Sequence, residues 1–375
     1  MPNRDSLGDR MKGYENSYRM YLPKRMPVII RVDGKAFHNF TKGFKRPFDD
    51  MLISCMQTTA MRLCSQIEGA KLAYVQSDEI SILLTNNDTI ETEPWFGNNL
   101  QKLASITASM ATLAFNREWN NLVDEYDMDY EAWAMFDEPY EKEEKRELQN
   151  RLFHAYDKAS RNGALFDARA FVLPEDEVVN YFVWRQQDAT CNSIQMVAQS
   201  VFSHNELQGL NCNELQNKLL TEKDINWNNY PISYKRGSCI IKKDTKVLVN
   251  VNFNYDFNKE PEFTEVMRKK WTIDQNIPIF SQEREYIEEV MPHVYEKVFF
   301  DGLPKSAFGK HYNIEFRGAH RDPVTDRTPI VTLNSKLIAE CHDMFMFMSE
   351  CGGIDLIYKE RILSMICTEK PKHES

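Results

Sequence analysis

Apolar and polar positions along the first half of the chain predict a strand, two helices and a further strand. The run Met26–Phe37, MPVIIRVDGKAF, is apolar and rich in β-branched residues, which favours a buried strand. Pro47–Ala70 has apolar residues at helical spacing, acids in its first turn and a glycine near its end. Asn98–Trp119 is a second amphipathic segment, and Asn162–Pro174 could supply the next strand.

Between the two predicted helices, the segment Tyr74–Thr85, YVQSDEISILLT, has strand character on both sides of two adjacent acids. Because Ser-Asp is a common turn pair, the pattern favours two short strands that meet near Gln76–Glu79. Asp78 and Glu79 would then lie at the tip of a hairpin. A single edge strand with solvated acids is the alternative that this segment leaves open.

These elements predict an α+β protein with a βαββαβ antiparallel sheet and helices on one face. The acidic segment of about residues 124–160 interrupts the order and is interpreted as a helical insertion. Glu175–Asn217 is mainly helical in pattern, and Tyr234–Phe253 looks like another hairpin. After Met291 the chain is rich in loop residues, and it ends in an apolar segment, Ile338–Cys351, that we expect to be helical.

Composition narrows the class of protein. The chain has 375 residues and a formal net charge of −10, which argues against non-specific coating of nucleic acid but allows local basic patches. Its eight cysteines show no CxxC pair, so we expect free thiols and no structural zinc. No membrane-spanning run or secretion signal is visible in the sequence, so a cytoplasmic location is expected by default.

Asp33 ends the first predicted strand, and Asp78 lies in the predicted hairpin. If these strands are neighbours, the two carboxylates can meet at one end of the sheet. Mg²⁺ usually binds one or two carboxylates together with water and phosphate oxygens. Two such ions can stabilise both oxygens of an in-line phosphoryl displacement, and Gly34 would let a phosphate or a metal approach the backbone. By spacing alone the Asp-Gly pair could equally be a simple turn.

Several motifs occur here in the order and context of the tRNA-His guanylyltransferase family, the reverse-direction (3′-to-5′) nucleotide polymerases. They are LGDRMKGYE, IIRVDGKAFHNFTKGFKRPFD, YVQSDEIS, FDAR, WRQQDATCNS and YKRGS. The combination of RVDGxxFxxF with SDEIS is the specific part of the resemblance. It implies a polymerase-like palm with two Mg²⁺ ions within residues 1–291, and it leaves 292–375 as a C-terminal extension of unknown role.

The resemblance also implies roles for individual residues. Asp33 and Asp78 resemble the two metal-binding aspartates, with the Gly34 carbonyl as a further ligand. Ser77, Arg46 and Lys102 resemble contacts to nucleotide or triphosphate, although the family often has Lys where Arg46 stands. The expected nucleotide-binding loop comprises Asp33, Gly34, Lys35, Ala36, Phe37 and His38.

Other residues keep two interpretations. Glu79 could be a third metal ligand or could act as a hydrogen-bond acceptor behind the ligands, and we favour the second. The rings of Phe37, Phe40 and Phe48 are expected to pack in the core rather than to stack on bases. A third set could bind RNA or triphosphate, or could be a salt-bridged frame: Arg185, Asp188, Asn192, Lys235 and Arg236.

The resemblance is incomplete at Thr190–Ser193, which reads TCNS where members that add G to tRNA-His typically carry HINN. This is similar to the bacterial and archaeal like-protein branch, which is associated with template-directed repair of 5′-truncated RNA. The implied enzyme is a metal-dependent nucleotidyltransferase with ATP and GTP as substrates, tRNA or tRNA-like RNA as partner, and a homotetrameric assembly. A nucleotide cyclase-type palm and a non-catalytic RNA-binding protein are the alternatives.

The C-terminal extension clusters cations with aromatic residues, which suits an RNA backbone and exposed bases. We therefore expect this segment to extend the RNA-binding surface. Packing on the core or on a neighbouring subunit is the alternative. The residues concerned are Lys310, His311, Tyr312, Phe316, Arg317, His320, Arg321 and Arg327.

Overall fold

The computed structural model describes residues 6–89, 91–136, 143–250 and 263–291, together with five strands at 311–317, 330–341, 344–348, 354–358 and 362–367. The chain divides into two compact units, Met1–Pro292 and His293–Ser375, and each is described by itself.

Helices of very different length surround the sheet of the first unit. They are α1 Ser6–Asn16, α2 Phe37–Phe40, α3 Asp50–Gln66, α4 Leu100–Phe136, α5 Glu143–Asn162, α6 Glu175–Val201, α7 His204–Leu207, α8 Cys212–Lys223, α9 Ile232–Arg236 and α10 Glu285–Glu288. Among these described helices, none is long and apolar enough to cross a membrane.

The sheet of the first unit has six strands in the order β4-β1-β3-β2-β5-β6, and every neighbouring pair is antiparallel. Its strands are β1 Val28–Gly34, β2 Ala70–Gln76, β3 Glu79–Leu84, β4 Phe166–Val172, β5 Ser238–Asn250 and β6 Phe263–Asp274. β2 and β3 form the hairpin that the sequence predicted, and β1 lies beside it. This arrangement confirms the predicted α+β class and the βαββαβ order.

Alternation along the strands gives the sheet two apolar faces. Ile30, Val32 and Ile82 point to one face, where they pack in one core cluster with residues of α3 and α4. Ile29, Leu72 and other buried residues on the opposite face pack against α6. The two helices of the predicted motif therefore share one face, and α6 covers part of the other.

The acidic insertion is helical where it is described. It lengthens α4 to 37 residues and contributes α5, which packs back on α4 and the core through Tyr156 and Ala159. The Asp49 side chain, which caps α3, also accepts a hydrogen bond from the Tyr156 hydroxyl at 2.7 Å. This hydrogen bond joins α5 of the insertion to the N-terminus of α3.

Two sequence-based expectations about local structure were wrong. Tyr234–Phe253 is not a hairpin by itself: where it is described, it ends α9 and forms one long strand, β5, which pairs with β6. The apolar segment expected to be helical contributes instead to two strands, β8 Ile330–Cys341 and β9 Met344–Met348. Short apolar runs do not distinguish a buried helix from a strand, because both periods can fit them.

The second unit contains a five-stranded antiparallel sheet in the order β10-β9-β8-β7-β11. Its other strands are β7 His311–Arg317, β10 Ile354–Tyr358 and β11 Ile362–Cys367. Of the expected RNA-binding cluster, four residues lie on β7, and the others lie outside the described residues: Lys310, His320, Arg321 and Arg327. The role of this unit stays a prediction.

Candidate active site

The candidate site lies at the end of β1, where strand pairing brings three acids into one row. Asp33 is paired with Glu79 of β3 on one side and with Asp167 of β4 on the other. Directly paired residues of an antiparallel sheet point to the same face. This face is the one partly covered by α6.

The turn between β2 and β3 brings Asp78 to the same end of the sheet. Ser77 occupies this turn with a positive φ of 46°, which lets the chain reverse within two residues. The backbone N–H of Gly34 donates a hydrogen bond to the carbonyl of Asp78 at 3.1 Å, so the turn and the end of β1 are held together. Asp33 and Asp78 therefore meet, as the sequence predicted they could.

Both aspartates line a pocket of about 320 Å³ between the sheet and α6. Four of its lining residues are acids and one is a cation, so the described lining carries an excess of negative charge. The pocket is lined by Asp33, Gln76, Ser77, Asp78, Glu79, Arg185, Asp188, Asn192, Gln195, Met196 and Gln199.

The pKa of Asp78 is raised, mainly because burial disfavours its ionised form. The negative charges of Asp33 and Glu79 raise this pKa further, whereas hydrogen bonds from the Ser77 side chain and from its own backbone lower it. The Asp33 carboxylate has no hydrogen bond or ion pair with any described residue. A cation bound between the two aspartates would stabilise the ionised form of Asp78 and would give the Asp33 carboxylate a partner.

Glu79 is occupied by an ion pair with Arg185. The guanidinium donates from Nε to Oε1 at 2.8 Å and from Nη2 to Oε2 at 2.7 Å. Ser81 adds a third hydrogen bond to Oε1 at 3.1 Å, and Arg185 also reaches Asp188 at 3.0 Å. This geometry supports the interpretation in which Glu79 stands behind the metal ligands.

The loop after β1 has the shape of an anion cradle. A Cβ added at Gly34 would overlap the ring of Phe37, which is packed in the core, so the backbone turns tightly here. Ala36 adopts a positive φ of 53°. Within the described residues, the backbone N–H groups of Ala36, Phe37 and His38 donate to no acceptor. Successive free N–H groups in such a turn are suited to phosphate oxygens.

Of the residues expected to contact the nucleotide, Asp33 and Ser77 are the ones among the described residues that line this pocket. Gly34, Lys35, Ala36, Phe37 and His38 follow Asp33 in the chain without lining it, and Arg46 and Lys102 lie elsewhere. Arg46 lines a separate cavity of about 1060 Å³ formed largely by the Gly43–Met51 region with α4 and α5. Lys102 is exposed near the start of α4, with its ammonium 5.6 Å from the centre of the Phe96 ring. Thr112 marks the part of α4 that is close to the end of β1, because its hydroxyl accepts a hydrogen bond from the N–H of Phe166, which is paired with Gly34. Lys102 lies about 15 Å along α4 from Thr112.

The five residues that could bind RNA or triphosphate, or could form a salt-bridged frame, fall into two groups in the structure. Arg185, Asp188 and Asn192 line the pocket. Lys235 is buried, and its ammonium donates to the Asn228 carbonyl at 2.6 Å. The Arg236 carbonyl accepts from the Tyr74 hydroxyl. The contacts of Lys235 and of the Arg236 backbone are hydrogen bonds within the fold, and neither residue lines the pocket. Whether these five residues bind RNA or triphosphate, or form a salt-bridged frame, stays a prediction.

Sequence reasoning missed Gln195, Gln199 and Asp167. The two glutamines continue a spacing of three or four residues from Asp188 and Asn192, so a helical projection of α6 would have found them. Asp167 would have followed from pairing the FDAR strand with β1.

Within the described residues, no three His, Cys, Asp or Glu side chains form a preformed metal cluster. Mg²⁺ does not need one, because it is commonly bound by one or two carboxylates and completes its shell with water and substrate phosphates. Asp33, Asp78 and the Gly34 carbonyl are the groups that could hold such an ion.

Paired aspartates at the end of an antiparallel βαββαβ sheet, backed by two helices, define a palm-type nucleotidyltransferase. The family model for tRNAHis guanylyltransferase matches residues 8–174. A bacterial tRNA(His) guanylyltransferase-like protein solved in complex with ATP is 45% identical, with a TM-score of 0.58; the match covers 77% of this chain and all of that one. The same kind of protein in complex with GTP is 42% identical, with a TM-score of 0.56 and coverage of 76% and 99%.

More distant relatives carry the guanylyltransferase name. The probable tRNA(His) guanylyltransferase of Dictyostelium discoideum is 25% identical, over 68% of this chain and 86% of its own length. The Saccharomyces cerevisiae tRNA(His) guanylyltransferase is 26% identical, over 60% of this chain and 86% of its own length. The chain belongs to the tRNA(His) guanylyltransferase family, and it is closer to the bacterial like-proteins than to these two enzymes. The recognition made from the sequence is thereby confirmed.

Proposed function

We propose that this nucleotidyltransferase adds nucleotides to the 5′ end of tRNA or tRNA-like RNA in the 3′-to-5′ direction. In a first step, an oxygen of the RNA 5′-monophosphate attacks the α-phosphorus of ATP, and pyrophosphate leaves. In a second step, the 3′-hydroxyl of GTP or another nucleoside triphosphate attacks the activated 5′-phosphorus, AMP leaves, and the hydroxyl proton passes to solvent. The product keeps the triphosphate of the added nucleotide at its new 5′ end.

The observation that carries the proposal is the charge of the pocket. Asp33 and Asp78 line one cavity, and Arg185, the one cation among its described lining residues, is already bound to Glu79 and Asp188. Carboxylates arranged in this way bind divalent cations more readily than substrate anions. When bound, Mg²⁺ ions would neutralise developing charge on the transferring phosphoryl group. We assign Asp33, Asp78 and the Gly34 carbonyl as the protein ligands of Mg²⁺.

The chain's own groups then bind and orient the triphosphate. The N–H groups of Ala36, Phe37 and His38, which follow Asp33 in the chain and have no acceptor among the described residues, can donate to phosphate oxygens. Ser77, in the turn between β2 and β3, lines the pocket that contains the two aspartates. Reactions of this type depend on positioning and electrostatic stabilisation more than on a protein nucleophile.

TCNS in place of HINN motivates the choice of substrate. We propose that addition is directed by pairing with the opposite RNA strand, so that the enzyme repairs 5′-truncated tRNAs in general. Assembly as a homotetramer, which the resemblance implies, and a cytoplasmic location, which the sequence suggests by default, stay predictions.

The proposal is tested by incubating the protein with Mg²⁺, labelled ATP and a 5′-monophosphorylated tRNA that lacks its first nucleotide. An adenylylated RNA end, extended by one nucleotide on addition of the complementary triphosphate, is the expected result. A cyclic nucleotide formed without RNA would identify a cyclase instead. Binding of RNA with no transfer by the wild-type protein under these conditions would also contradict the proposal.

A further inference from the structure

One corner of the sheet beside the pocket is open to solvent. α6 packs against Ile29 and Leu72 and, through Tyr181, against Phe171 near the end of β4, whereas the first half of β4 is exposed. There the side chains of Arg169 and Asp167 are 58% and 57% exposed. Asp167 is paired with Asp33, so this open corner and the metal-binding aspartate share one face of the sheet.

Two arginines lie next to the row of acids. Arg31 and Arg169 are directly paired, two residues before Asp33 and two after Asp167. Arg31 Nε is buried and has no hydrogen-bond partner among the described residues. Arg169 has a 3.7 Å ion pair with Asp167, and such an exposed pair contributes little stability. Among the described residues, neither guanidinium therefore has a strong structural contact.

Trp184 of α6 adds a large aromatic ring at this corner. Trp184 is 52% exposed, although it is a large hydrophobic residue. The guanidinium of Arg185 lies 4.5 Å from the ring centre, and Tyr181 packs edge-on at 5.8 Å. These contacts hold the ring in place while much of it stays accessible.

The contacts of Tyr181 connect this ring to the open corner. The Tyr181 hydroxyl is 2.8 Å from Ser81 Oγ, and Ser81 is paired with Arg31. The Tyr181 ring also lies 5.8 Å from that of Phe171 on β4, two residues beyond Arg169. An aromatic ring and two cations thus lie on the face of the sheet that carries the pocket, and the ring contacts Arg185, which lines the pocket.

We propose that Trp184 and Arg169 dock the end of the RNA substrate, with the indole stacked on the terminal base and Arg169 on a backbone phosphate. The assignment rests on the proposed function. A pocket of about 320 Å³ is of a size for one nucleotide, so an RNA end must enter from a neighbouring open surface. Stacking on aromatic rings accepts any base, which suits an enzyme that repairs several tRNAs. Trp184 is a binding residue and takes no part in the chemical step.

The test compares Trp184→Ala and Trp184→Phe with the wild-type protein, using the 5′-monophosphorylated truncated tRNA. For Trp184→Ala we expect the KM for RNA to rise about tenfold, while kcat at saturating RNA and the KM for ATP stay within about twofold. Trp184→Phe keeps a stacking ring and should retain most of the affinity. Tyr18→Ala removes an aromatic residue that is 77% exposed elsewhere and is the matched control.

Arg169→Ala tests the phosphate contact independently of the tryptophan. It should weaken RNA binding and reduce the slope of log affinity against log salt by about one. Arg161→Ala, which removes an exposed cation from the end of α5, should leave the slope unchanged.

Each other outcome would overturn the assignment. An unchanged KM for RNA in Trp184→Ala would exclude stacking. A rise in the KM for ATP instead would mean that the ring binds the mononucleotide, and an equal loss in Trp184→Phe would mean that it only supports Arg185. If the wild-type protein itself neither binds nor modifies RNA, the proposed function fails as well. If the wild-type protein modifies RNA and Trp184→Ala has the same KM for RNA, only the docking surface is refuted.

Discussion

Glu79 and Arg185, 106 residues apart in the chain, form a two-bonded ion pair that is almost completely removed from solvent. The pair joins the β2–β3 hairpin to α6 at the level of the two aspartates. Because Arg185 is consumed by this contact, it cannot neutralise Asp33 and Asp78. The ion pair therefore lines the pocket without balancing the charge of the two aspartates, as the proposed metal site requires.

Removing one partner of this pair should be costly. We expect Arg185→Ala to lower the free energy of unfolding by about 3–5 kcal/mol, because Glu79 would be left buried without a counter-charge. Denaturant titration measures the effect. Combining it with Glu79→Gln, which removes the buried charge, should recover part of the loss. Additive losses in the double variant would show that the two residues do not act as a pair.

Asp33→Asn and Asp78→Asn should each lower nucleotide addition by at least about 100-fold, the order of loss when one preorganised electrostatic group is removed. Far-UV circular dichroism should be unchanged, since neither carboxylate holds the fold together. Isothermal titration with Mg²⁺ should show a weaker site in both variants. Normal activity of either variant at limiting Mg²⁺ would contradict the ligand assignment.

Asp78 also gives a prediction about stability and pH. Burial raises its folded-state pKa, so folding favours the protonated form, and the ionised group costs stability at neutral pH. Asp78→Asn should therefore raise the free energy of unfolding at pH 7. The gain should shrink as the pH falls through the raised pKa and vanish below the ordinary aspartate pKa of about 4. A gain that is constant from neutral to acid pH would mean that charge is not its cause.

The sequence could predict the aspartates because their positions depend on local signals. A β-branched run ending in Asp-Gly and a Ser-Asp turn between two apolar strands are both readable without long-range information. The ion pair of Glu79 with Arg185 was not readable, since it depends on where α6 crosses the sheet. The position of Lys102 beside Phe96 is likewise a tertiary contact that the sequence does not show, and its role near a nucleotide stays a prediction.

The strands β8 and β9 show a different limit. Leu337, Ile338 and Ala339 form part of an apolar run, and MFMFM follows after a short interval; such runs fit a buried helix as well as a strand. Pairing with β7 and β10 decides between them, and pairing is a tertiary property.

Gly34 should not tolerate a side chain. In Gly34→Ala the new methyl group would overlap the Phe37 ring, and we expect a loss of about 1–3 kcal/mol in the free energy of unfolding, as for other overpacked sites. Nucleotide affinity should fall as well, because the N–H groups that follow Gly34 would move. Gly13→Ala is the control for stability: it lies in α1 with no atom near the added methyl, and it should be neutral or slightly stabilising. Equal effects of the two substitutions on stability would refute the steric argument.

The last prediction concerns the second unit, where the chain divides after Pro292. A protein that ends at Met291 keeps the six-stranded sheet and the pocket, so we expect it to adenylylate a 5′-monophosphorylated tRNA at high RNA concentration. If the removed unit contributes cations to RNA binding, the affinity should fall, and its salt dependence should become shallower, because fewer phosphates are neutralised. Fluorescence anisotropy at several salt concentrations measures both quantities, and light scattering reports the assembly. Unchanged RNA affinity with a smaller oligomer would show instead that residues 292–375 hold subunits together.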